Sequence, residues 1–330
     1  MIILTKVVIV MMVSLILSII TGIILIPILK KLKAGQRLSQ YLEERHKEKS
    51  GTPTMGGLIF ILPVILVMLS MYLFNKINLN STIIIVVFTF LAYSFIGFID
   101  DFLIIKRKNN NGLSECSKFI LQIVIAIMFF YLFMKSGNEP LLWIHTLGIK
   151  LNIGFLYGII ILLVLVSSSN AVNITDGLDG LAGSLSLISF FTLGIISYNT
   201  GWLEGYEEIS LFCFSISGSL IGFLLFNLNP AKVFMGDTGS LSLGATMGAI
   251  AILTRHEILL ILIGIVFVIE TLTCIIQRIY YKFTKKRLFL MTPIHHTFEK
   301  KGYSERDIVK IFCLIGIIAS MISIIFGVIL

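Results

Sequence analysis

Charged residues are scarce in this chain. Asp, Glu, Lys and Arg make up 13% of its 330 residues, whereas an ordinary soluble domain has about 25%. The mean hydropathy is +0.99, and apolar runs recur along the whole sequence. So little charge excludes a soluble globular protein and indicates an integral membrane protein.

Cysteine is also rare. The four cysteines lie far apart and three of them fall inside apolar runs, so that none has the spacing of a zinc site and we expect reduced thiols. The period-two alternation of barrel strands and the internal repeat of many transporters are missing as well. We therefore expect an all-α integral membrane protein in which residues 1–330 form a single polytopic domain.

Ten apolar segments are long enough to cross a bilayer as helices of about 20 residues. Helices are required because hydrocarbon offers no partners for backbone amides. The predicted spans are 6–29, 54–75, 81–99, 119–135, 155–170, 178–198, 208–226, 239–255, 257–283 and 307–329. The first has no small-residue cleavage site behind a short apolar core, so we expect a retained anchor.

One stretch outside these spans predicts strands. "LLWIHTLGIKLNIG" (141–154) alternates apolar and polar residues around Leu147 and Gly148, which predicts a short β-hairpin on the outer face of the membrane.

Lysine and arginine are unevenly distributed. Of the 26, 21 lie at 30–49, at 106–118, near 232 and at 278–310, which are alternate loops. The positive-inside rule places these loops in the cytoplasm and, with ten spans, both termini outside. Because topology alone explains the basic loops, we expect the lipid bilayer and no nucleic acid as a partner.

Aspartate is the residue whose placement is most informative. Five of the six aspartates lie at predicted cytoplasmic span ends or in short cytoplasmic loops, while Asp307 stands apart. The five are Asp100, Asp101, Asp176, Asp179 and Asp237. Any one of them could cap a helix, but carboxylates are costly at membrane depth and usually line a polar cavity. Together they predict a site for Mg²⁺, which binds a few carboxylates, waters and substrate phosphates.

Two polar stretches lie between apolar helices in the same regions. "NAVNITDGLDGLAG" (170–183) holds two of the aspartates, and "FMGDTGSLSLG" (234–244) places Gly236 and Gly239 around Asp237 at a span start. Glycine permits close backbone approach, and a helix start favours an anion. These stretches favour phosphate chemistry.

A basic region near the end of the chain contains two adjacent histidines. His295 and His296 follow Pro293 in a predicted polar loop. Taken alone, a solvated loop histidine is the default interpretation, and contact with phosphate or sugar is the alternative. Lys49, just before "GTPTMGG" (51–57), is equally open when considered alone.

Six groups of residues follow one another along nearly the whole chain. They are "GTPTMGG" (51–57), "FIDDF" with "GLS" (98–102, 112–114), "NAVNITDGLDGLAG" (170–183), "NPAKVFMGDTGSLSLG" (229–244), "ETLTCIIQ" (270–277) and "PIHHTFEKKG" (293–302). In these the chain resembles the polyprenyl-phosphate N-acetylhexosamine-1-phosphate transferases, and specifically the phospho-N-acetylmuramoyl-pentapeptide transferases of bacterial cell-wall synthesis. The first and last groups distinguish this branch from relatives that start other surface polymers.

The resemblance implies a reaction and a location. Phospho-N-acetylmuramoyl-pentapeptide would pass from UDP (UDP-MurNAc-pentapeptide) to undecaprenyl phosphate with Mg²⁺ as cofactor, releasing UMP. The enzyme would lie in the bacterial plasma membrane with ten transmembrane helices, both termini outside and a cytoplasmic active site; a homodimer is left open. Two alternatives remain: a transferase that uses UDP-N-acetylglucosamine, and an ion-coupled transporter. A transporter predicts several mid-span acids, and only Glu270 is plainly mid-span.

The resemblance also implies roles for single residues. Asp237 resembles the magnesium ligand, Asp176 a further catalytic aspartate and second candidate ligand, and Asp100 and Asp101 the paired catalytic acids. The residues that resemble the nucleoside pocket are Lys49, Asn173, Asp179, Phe234 and Gln277, with Phe234 suited to stack on uracil. The residues expected to contact the diphosphate or the sugar are Asn227, His295 and His296.

The chain departs from the family pattern at two places. Thr297 stands where a third histidine is usual, so that position cannot supply an essential acid or base. Ile104 stands where a lysine commonly follows the paired acids, and Lys106 and Lys108 are open alternatives for that position. Lys118 is the cation that we expect for the lipid phosphate.

Overall fold

The computed structural model describes residues 2–32, 49, 51–107, 112–144 and 148–329. Most of the first predicted basic loop and the predicted hairpin turn lie outside these residues. The first six helices are α1 (Ile2–Lys31), α2 (Leu58–Leu73), α3 (Ser81–Arg107), α4 (Glu115–Lys135), α5 (Tyr157–Thr175) and α6 (Leu181–Tyr198). The others are α7 (Tyr206–Asn227), α8 (Gly236–Leu253), α9 (Glu257–Ile263), α10 (Ile265–Thr284), α11 (Ile294–Lys300) and α12 (Glu305–Ile324).

The protein is an all-α membrane protein with several candidate spans. Seven helices in the described ranges are long and apolar enough to cross a bilayer. They are Leu4–Lys31, Ser81–Arg107, Glu115–Lys135, Gly154–Thr175, Leu181–Tyr198, Tyr206–Asn227 and Glu305–Val328. The segment predicted as one span at 257–283 is instead two helices, α9 and α10, bent by 87° at Gly264, and the pair makes an eighth candidate.

Helix α8 lies at the centre of the molecule, and its residues from Thr238 to Leu253 are all buried. Small residues on its surface allow close packing: a Cβ at Gly244 would meet the Ser168 carbonyl oxygen of α5 at 2.2 Å. On α3, a Cβ at Gly97 would meet the Asp237 carbonyl oxygen at 2.1 Å. This close contact brings the end of α3 beside the beginning of α8.

A small antiparallel sheet lies between α4 and α5. Strand β1 (Leu141–Ile144) pairs with β2 (Ile149–Asn152), with Trp143 opposite Lys150. These strands coincide with the two arms of the predicted hairpin; their position on the outer face stays a prediction. Arg255, just beyond α8, donates to the carbonyl oxygens of Leu141 and Glu139 at 2.9 and 2.7 Å, so the sheet is held to the end of the central helix.

Candidate active site

Two carboxylates from different helices converge on one lysine. The Nζ of Lys118, in the first turn of α4, lies 3.0 Å from Asp100 Oδ2 on α3 and 2.6 Å from Asp237 Oδ2 at the start of α8. The Lys118 and Asp237 side chains are 26% and 20% exposed, whereas Asp100 is 3% exposed. A ligand can therefore reach the lysine and Asp237 from the surface, while the buried Asp100 carboxylate pairs with the lysine from the protein interior.

Asp101 has a different set of partners from its neighbour. Its Oδ2 accepts hydrogen bonds from the backbone N–H and the hydroxyl of Thr238 at 3.0 and 2.6 Å. Its Oδ1 accepts one from the Thr54 hydroxyl at 3.3 Å. A carboxylate at the start of a helix satisfies N–H groups that lack intrahelical partners and complements the helix dipole. The adjacent acids predicted as a catalytic pair thus differ: Asp100 faces Lys118, and Asp101 caps α8.

Gly236, which precedes Asp237, is required by this arrangement. Its φ of +74° lies in the left-handed region, and a Cβ there would lie 2.5 Å from both Asp101 Oδ2 and Thr54 Oγ1. The close approach expected at this glycine is therefore an approach to the side chains of Asp101 and Thr54.

The end of α5 completes the acidic cluster. Asn173 Nδ2 donates to Asp237 Oδ1 at 2.8 Å and to Ser240 Oγ at 2.9 Å, so this predicted nucleoside residue lies on the aspartate cluster. Asp176 follows α5 directly and is half-buried. Its burial, and then the negative charges of Asp237, Asp101 and Asp179, raise its pKa to about 7. Asp176, Asp237, Asp101 and Asp179 thus share one region of negative potential.

A second polar cluster surrounds a neighbouring cavity of about 420 Å³. Lys49 Nζ lies 2.7 Å from Asp179 Oδ1 and 2.6 Å from Glu305 Oε1. Asp179 Oδ2 accepts the backbone N–H of Ala231 at 3.0 Å, and Glu305 Oε1 accepts that of Asp179 at 2.6 Å. These bonds join the region before α2, the turn before α6 and the start of α12. The structure thus places Lys49 and Asp179 side by side in the lining of this cavity; their place in a nucleoside pocket stays a prediction.

Asn229, Glu305 and Arg306 line this cavity and were not among the residues predicted for the site. Arg306 donates to the side-chain and backbone oxygens of Asn229, both at 3.1 Å. Asn229 in turn donates to Glu305 Oε2 at 2.9 Å. In the sequence, Glu305 and Arg306 follow Ser304, the N-cap of α12, and are therefore indistinguishable from ordinary residues of a first helical turn.

Two predicted substrate residues are engaged in holding backbone. Asn227 is 2% exposed; its amide accepts from Gly180 N at 3.1 Å and donates to Val233 O at 2.9 Å. Gln277 Oε1 accepts from the N–H groups of Leu288 and Phe289, and its Nε2 donates to Phe289 O. Their observed contacts shape the loops around the site.

Phe234 is half-buried. Its backbone N–H donates a hydrogen bond to the carbonyl oxygen of Pro53, and its carbonyl oxygen accepts one from Gly56 N.

The two histidines lie in a short helix, and the prediction of a polar loop was wrong. Both belong to α11, with 0% and 8% of their surface exposed. His295 Nδ1 lies 3.1 Å from Glu270 Oε2, and His296 Nδ1 lies 2.5 Å from Glu299 Oε2. Thr297 donates to Met291 O at 2.5 Å and accepts from Met291 N. The hydroxyl of Thr297, at the third position of the motif, therefore binds the backbone of Met291.

The donor set of the acidic cluster suits a hard cation. Among the residues that the structure describes, no three His, Cys, Asp or Glu side chains are grouped as a metal site. Mg²⁺ needs fewer, because it keeps several waters and is often bound by one or two carboxylates with substrate phosphates. The ammonium of Lys118 already lies where Asp100 and Asp237 converge, so these oxygens do hold a positive charge. The residues present fit Mg²⁺.

The chain is similar to known proteins over nearly all its length. Residues 83–255 match the model of glycosyl transferase family 4, and residues 49–61 match phospho-N-acetylmuramoyl-pentapeptide-transferase signature 1. Proteins named phospho-N-acetylmuramoyl-pentapeptide-transferase from Geobacillus sp. (strain WCH70) and Staphylococcus epidermidis (strain ATCC 35984) are 42% and 44% identical to it. These alignments cover 96% and 92% of this chain and 97% and 94% of the relatives. The chain therefore belongs to the phospho-N-acetylmuramoyl-pentapeptide-transferase family.

Proposed function

We propose that this protein transfers phospho-N-acetylmuramoyl-pentapeptide from UDP to undecaprenyl phosphate, which releases UMP and forms the first lipid intermediate of peptidoglycan synthesis. Family membership supports this reaction. The structural observation that carries it is the convergence of Asp100, Asp237 and Lys118 at helix ends beside a separate polar cavity. Phosphate transfer between a nucleotide and a lipid needs both a charged centre and a neighbouring place for the nucleoside.

The chemistry is a direct displacement at phosphorus. A phosphate monoester has a second pKa near 6, so the lipid phosphate is mostly a dianion at neutral pH and needs no strong general base. One of its oxygens forms a bond to the sugar-linked phosphorus of the diphosphate, and the bond from that phosphorus to the UMP oxygen breaks. Both partners are negative, so positioning and charge neutralisation dominate the barrier.

Lys118 supplies one of the positive charges for this step. Its ammonium is partly exposed and held by Asp100 and Asp237, which orient it for the incoming lipid phosphate. A two-step route with Asp100 as nucleophile would place another negative charge at the same centre. We therefore favour a single step in which Asp100 orients Lys118 and Asp101 fixes the beginning of α8.

The nucleoside belongs in the second cluster. Lys49 and Asp179 carry hydrogen-bonding groups into the cavity. Phe234 is half-buried and is not among the residues that line the cavity; it stays the residue proposed to stack on uracil. Asn173 acts through Asp237, and Asn227 and Gln277 act through the loops they hold. His296 stays the proposed contact to the diphosphate or the sugar.

Asp237 and Asp176 are the residues we propose to hold Mg²⁺. An ion held by these carboxylates would supply positive charge beside the diphosphate. The support is the chemistry of the donors: Asp237 is partly exposed, and the negative charges of Asp237 and Asp101 act on Asp176.

We propose ten membrane crossings with both termini outside and the aspartate clusters on the cytoplasmic side of the bacterial plasma membrane. Helix α2 has 16 residues, and α8 has 18 with Asp237 in its first turn; with the eight candidates above they make ten. The basic loops support the orientation. Cysteine labelling from the outside of intact cells tests it, and light scattering of the purified protein tests a homodimer.

One assay tests the function against its rivals. Purified protein is incubated with undecaprenyl phosphate, Mg²⁺ and either UDP-MurNAc-pentapeptide or UDP-N-acetylglucosamine, and UMP release is followed. Release with the first donor alone supports the proposal. Release only with the second assigns the alternative transferase, and release with neither would overturn both.

A further inference from the structure

A buried acid lies against a buried histidine beside the acidic cluster. Neither Glu270, on α10, nor His295, on α11, has any exposed surface. Glu270 Oε2 lies 3.1 Å from His295 Nδ1 and accepts the backbone N–H of the same residue at 3.5 Å. A carboxylate in this position fixes the orientation of an imidazole ring.

The other edge of the ring faces the turn that carries Asp176. A Cβ built on Gly177 would lie 2.5 Å from His295 Nε2. The backbone of Gly177 is not in the left-handed region, so its conformation does not require glycine. The imidazole requires it, since the ring fills the space that a side chain would occupy.

We propose that Glu270 and His295 are positioning residues that hold the Asp176–Gly177 turn in place for phosphate transfer. Glu270 orients the ring, and the ring edge supports the backbone directly after Asp176. His295 therefore does not touch the substrate, in contrast to the role expected from its motif. The enclosure of its ring argues for this: Nδ1 and Nε2 are both buried and neither makes a hydrogen bond among the described residues. Nδ1 therefore meets Glu270 as a close polar contact, and a substrate oxygen has no open path to Nε2.

The first test is a double-mutant cycle between Gly177 and His295 in the full-length protein. Gly177→Ala should lower kcat by about tenfold or more, because displacement of a catalytic group by about 1 Å can cost about a hundredfold. In a His295→Ala background, the same substitution should cost less than about twofold, since the ring it would strike is gone. Gly201→Ala is the matched control, because a Cβ there meets nothing within 4 Å.

Independent losses would overturn the proposal. If Gly177→Ala lowered kcat equally in both backgrounds, the two residues would not be coupled. The cycle is also measured on the midpoint of thermal unfolding. The unfolding midpoint tests the contact between positions 177 and 295 even if a variant is inactive. Coupling between the two substitutions is expected in the midpoint as well, and its absence would refute the contact.

The second test separates positioning from substrate contact. Glu270→Gln keeps an oxygen near Nδ1 and should retain more activity than Glu270→Ala, while both should leave the affinity for UDP-MurNAc-pentapeptide, measured without lipid, within about twofold of wild type. Thr273→Val on the same helix removes a hydroxyl bonded to Glu270 O and should change neither quantity. Equal losses in both Glu270 variants, or nucleotide affinity lowered in step with kcat, would contradict the proposal.

This inference rests on the proposed function, and the two fail in different ways. Wild-type protein that releases no UMP from either UDP-sugar refutes the function, whatever the variants do. Wild-type activity without coupling between positions 177 and 295 refutes only the positioning role.

Discussion

Lys118 donates to Asp237 across 2.6 Å and thereby joins the first turn of α4 to the first turn of α8. The positions are 119 residues apart in the sequence. The cation proposed for the lipid phosphate and the proposed magnesium ligand are thus already paired before any substrate binds. Substrate and metal must then redistribute these charges, and this gives the first prediction.

Lys118→Met should lower kcat by about a hundredfold or more, because a positioned charge at the reacting phosphates is lost. Lys118→Arg should recover part of the activity, since the charge is retained in a different geometry. Lys106→Met, at the exposed end of α3, tests the alternative cation and should behave as wild type. UMP release with undecaprenyl phosphate measures all three, and a Lys118→Met variant with near-normal kcat would refute the assignment.

Asp237→Asn should abolish turnover at any Mg²⁺ concentration while the protein stays folded, as judged by its unfolding midpoint. The substitution removes a carboxylate charge that both Lys118 and the proposed ion require. Asp307→Asn is the matched control, since Asp307 is exposed and pairs with Lys310. If turnover by Asp237→Asn rose with Mg²⁺ concentration just as turnover by wild type does, Asp237 would not be the magnesium ligand.

The adjacent acids should respond differently to the same change. Asp101→Asn should lower the free energy of unfolding by about 1–3 kcal/mol, since its single acceptor oxygen cannot accept from Thr238 and Thr54 at once, as the two carboxylate oxygens do. Asp100→Asn should mainly lower kcat and leave UDP-sugar affinity intact. Denaturation and nucleotide titration compare the two variants, and identical profiles would show that the acids act as an equivalent pair.

A burst measurement decides between one step and two. Wild type mixed with UDP-MurNAc-pentapeptide and Mg²⁺ alone should release no stoichiometric UMP, because the lipid phosphate is the nucleophile. A burst that matches the enzyme concentration and vanishes in Asp100→Asn would establish a covalent route instead.

Asp176 predicts a pH dependence of stability in metal-free protein. Its pKa is raised from 3.8 to about 7, so folding favours the neutral carboxyl. The contribution of this group to stability is complete below about pH 4 and is lost as the pH rises through 7. Wild type should therefore lose stability relative to Asp176→Asn as the pH rises from about 4 to about 7.5 in EDTA. A constant difference in unfolding midpoint over that range would show that the carboxyl is not perturbed.

The sequence by itself determined the membrane class and the family, and it singled out the aspartates of the candidate site. Scarce charge and long apolar runs suffice for the class, because the bilayer imposes its requirements on each segment separately. The motifs around Asp100, Asp176 and Asp237 are local as well. What they could not show is which side chains meet, and two local interpretations failed: the polar loop of His295 is a buried helix, and the ninth span is broken by 87°.

Only the tertiary structure decided the partners within the site. Lys49 meets Glu305 across 256 residues of sequence, and Asp101 caps a helix that begins 135 residues later. Glu270, an isolated mid-span acid in the sequence, lies 3.1 Å from His295 Nδ1. Such pairs depend on how closely helices approach, which glycines such as Gly97 on α3 permit. Composition and spacing show whether a segment is suited to the bilayer or to water. The partners of a buried charge, in contrast, depend on how the helices pack.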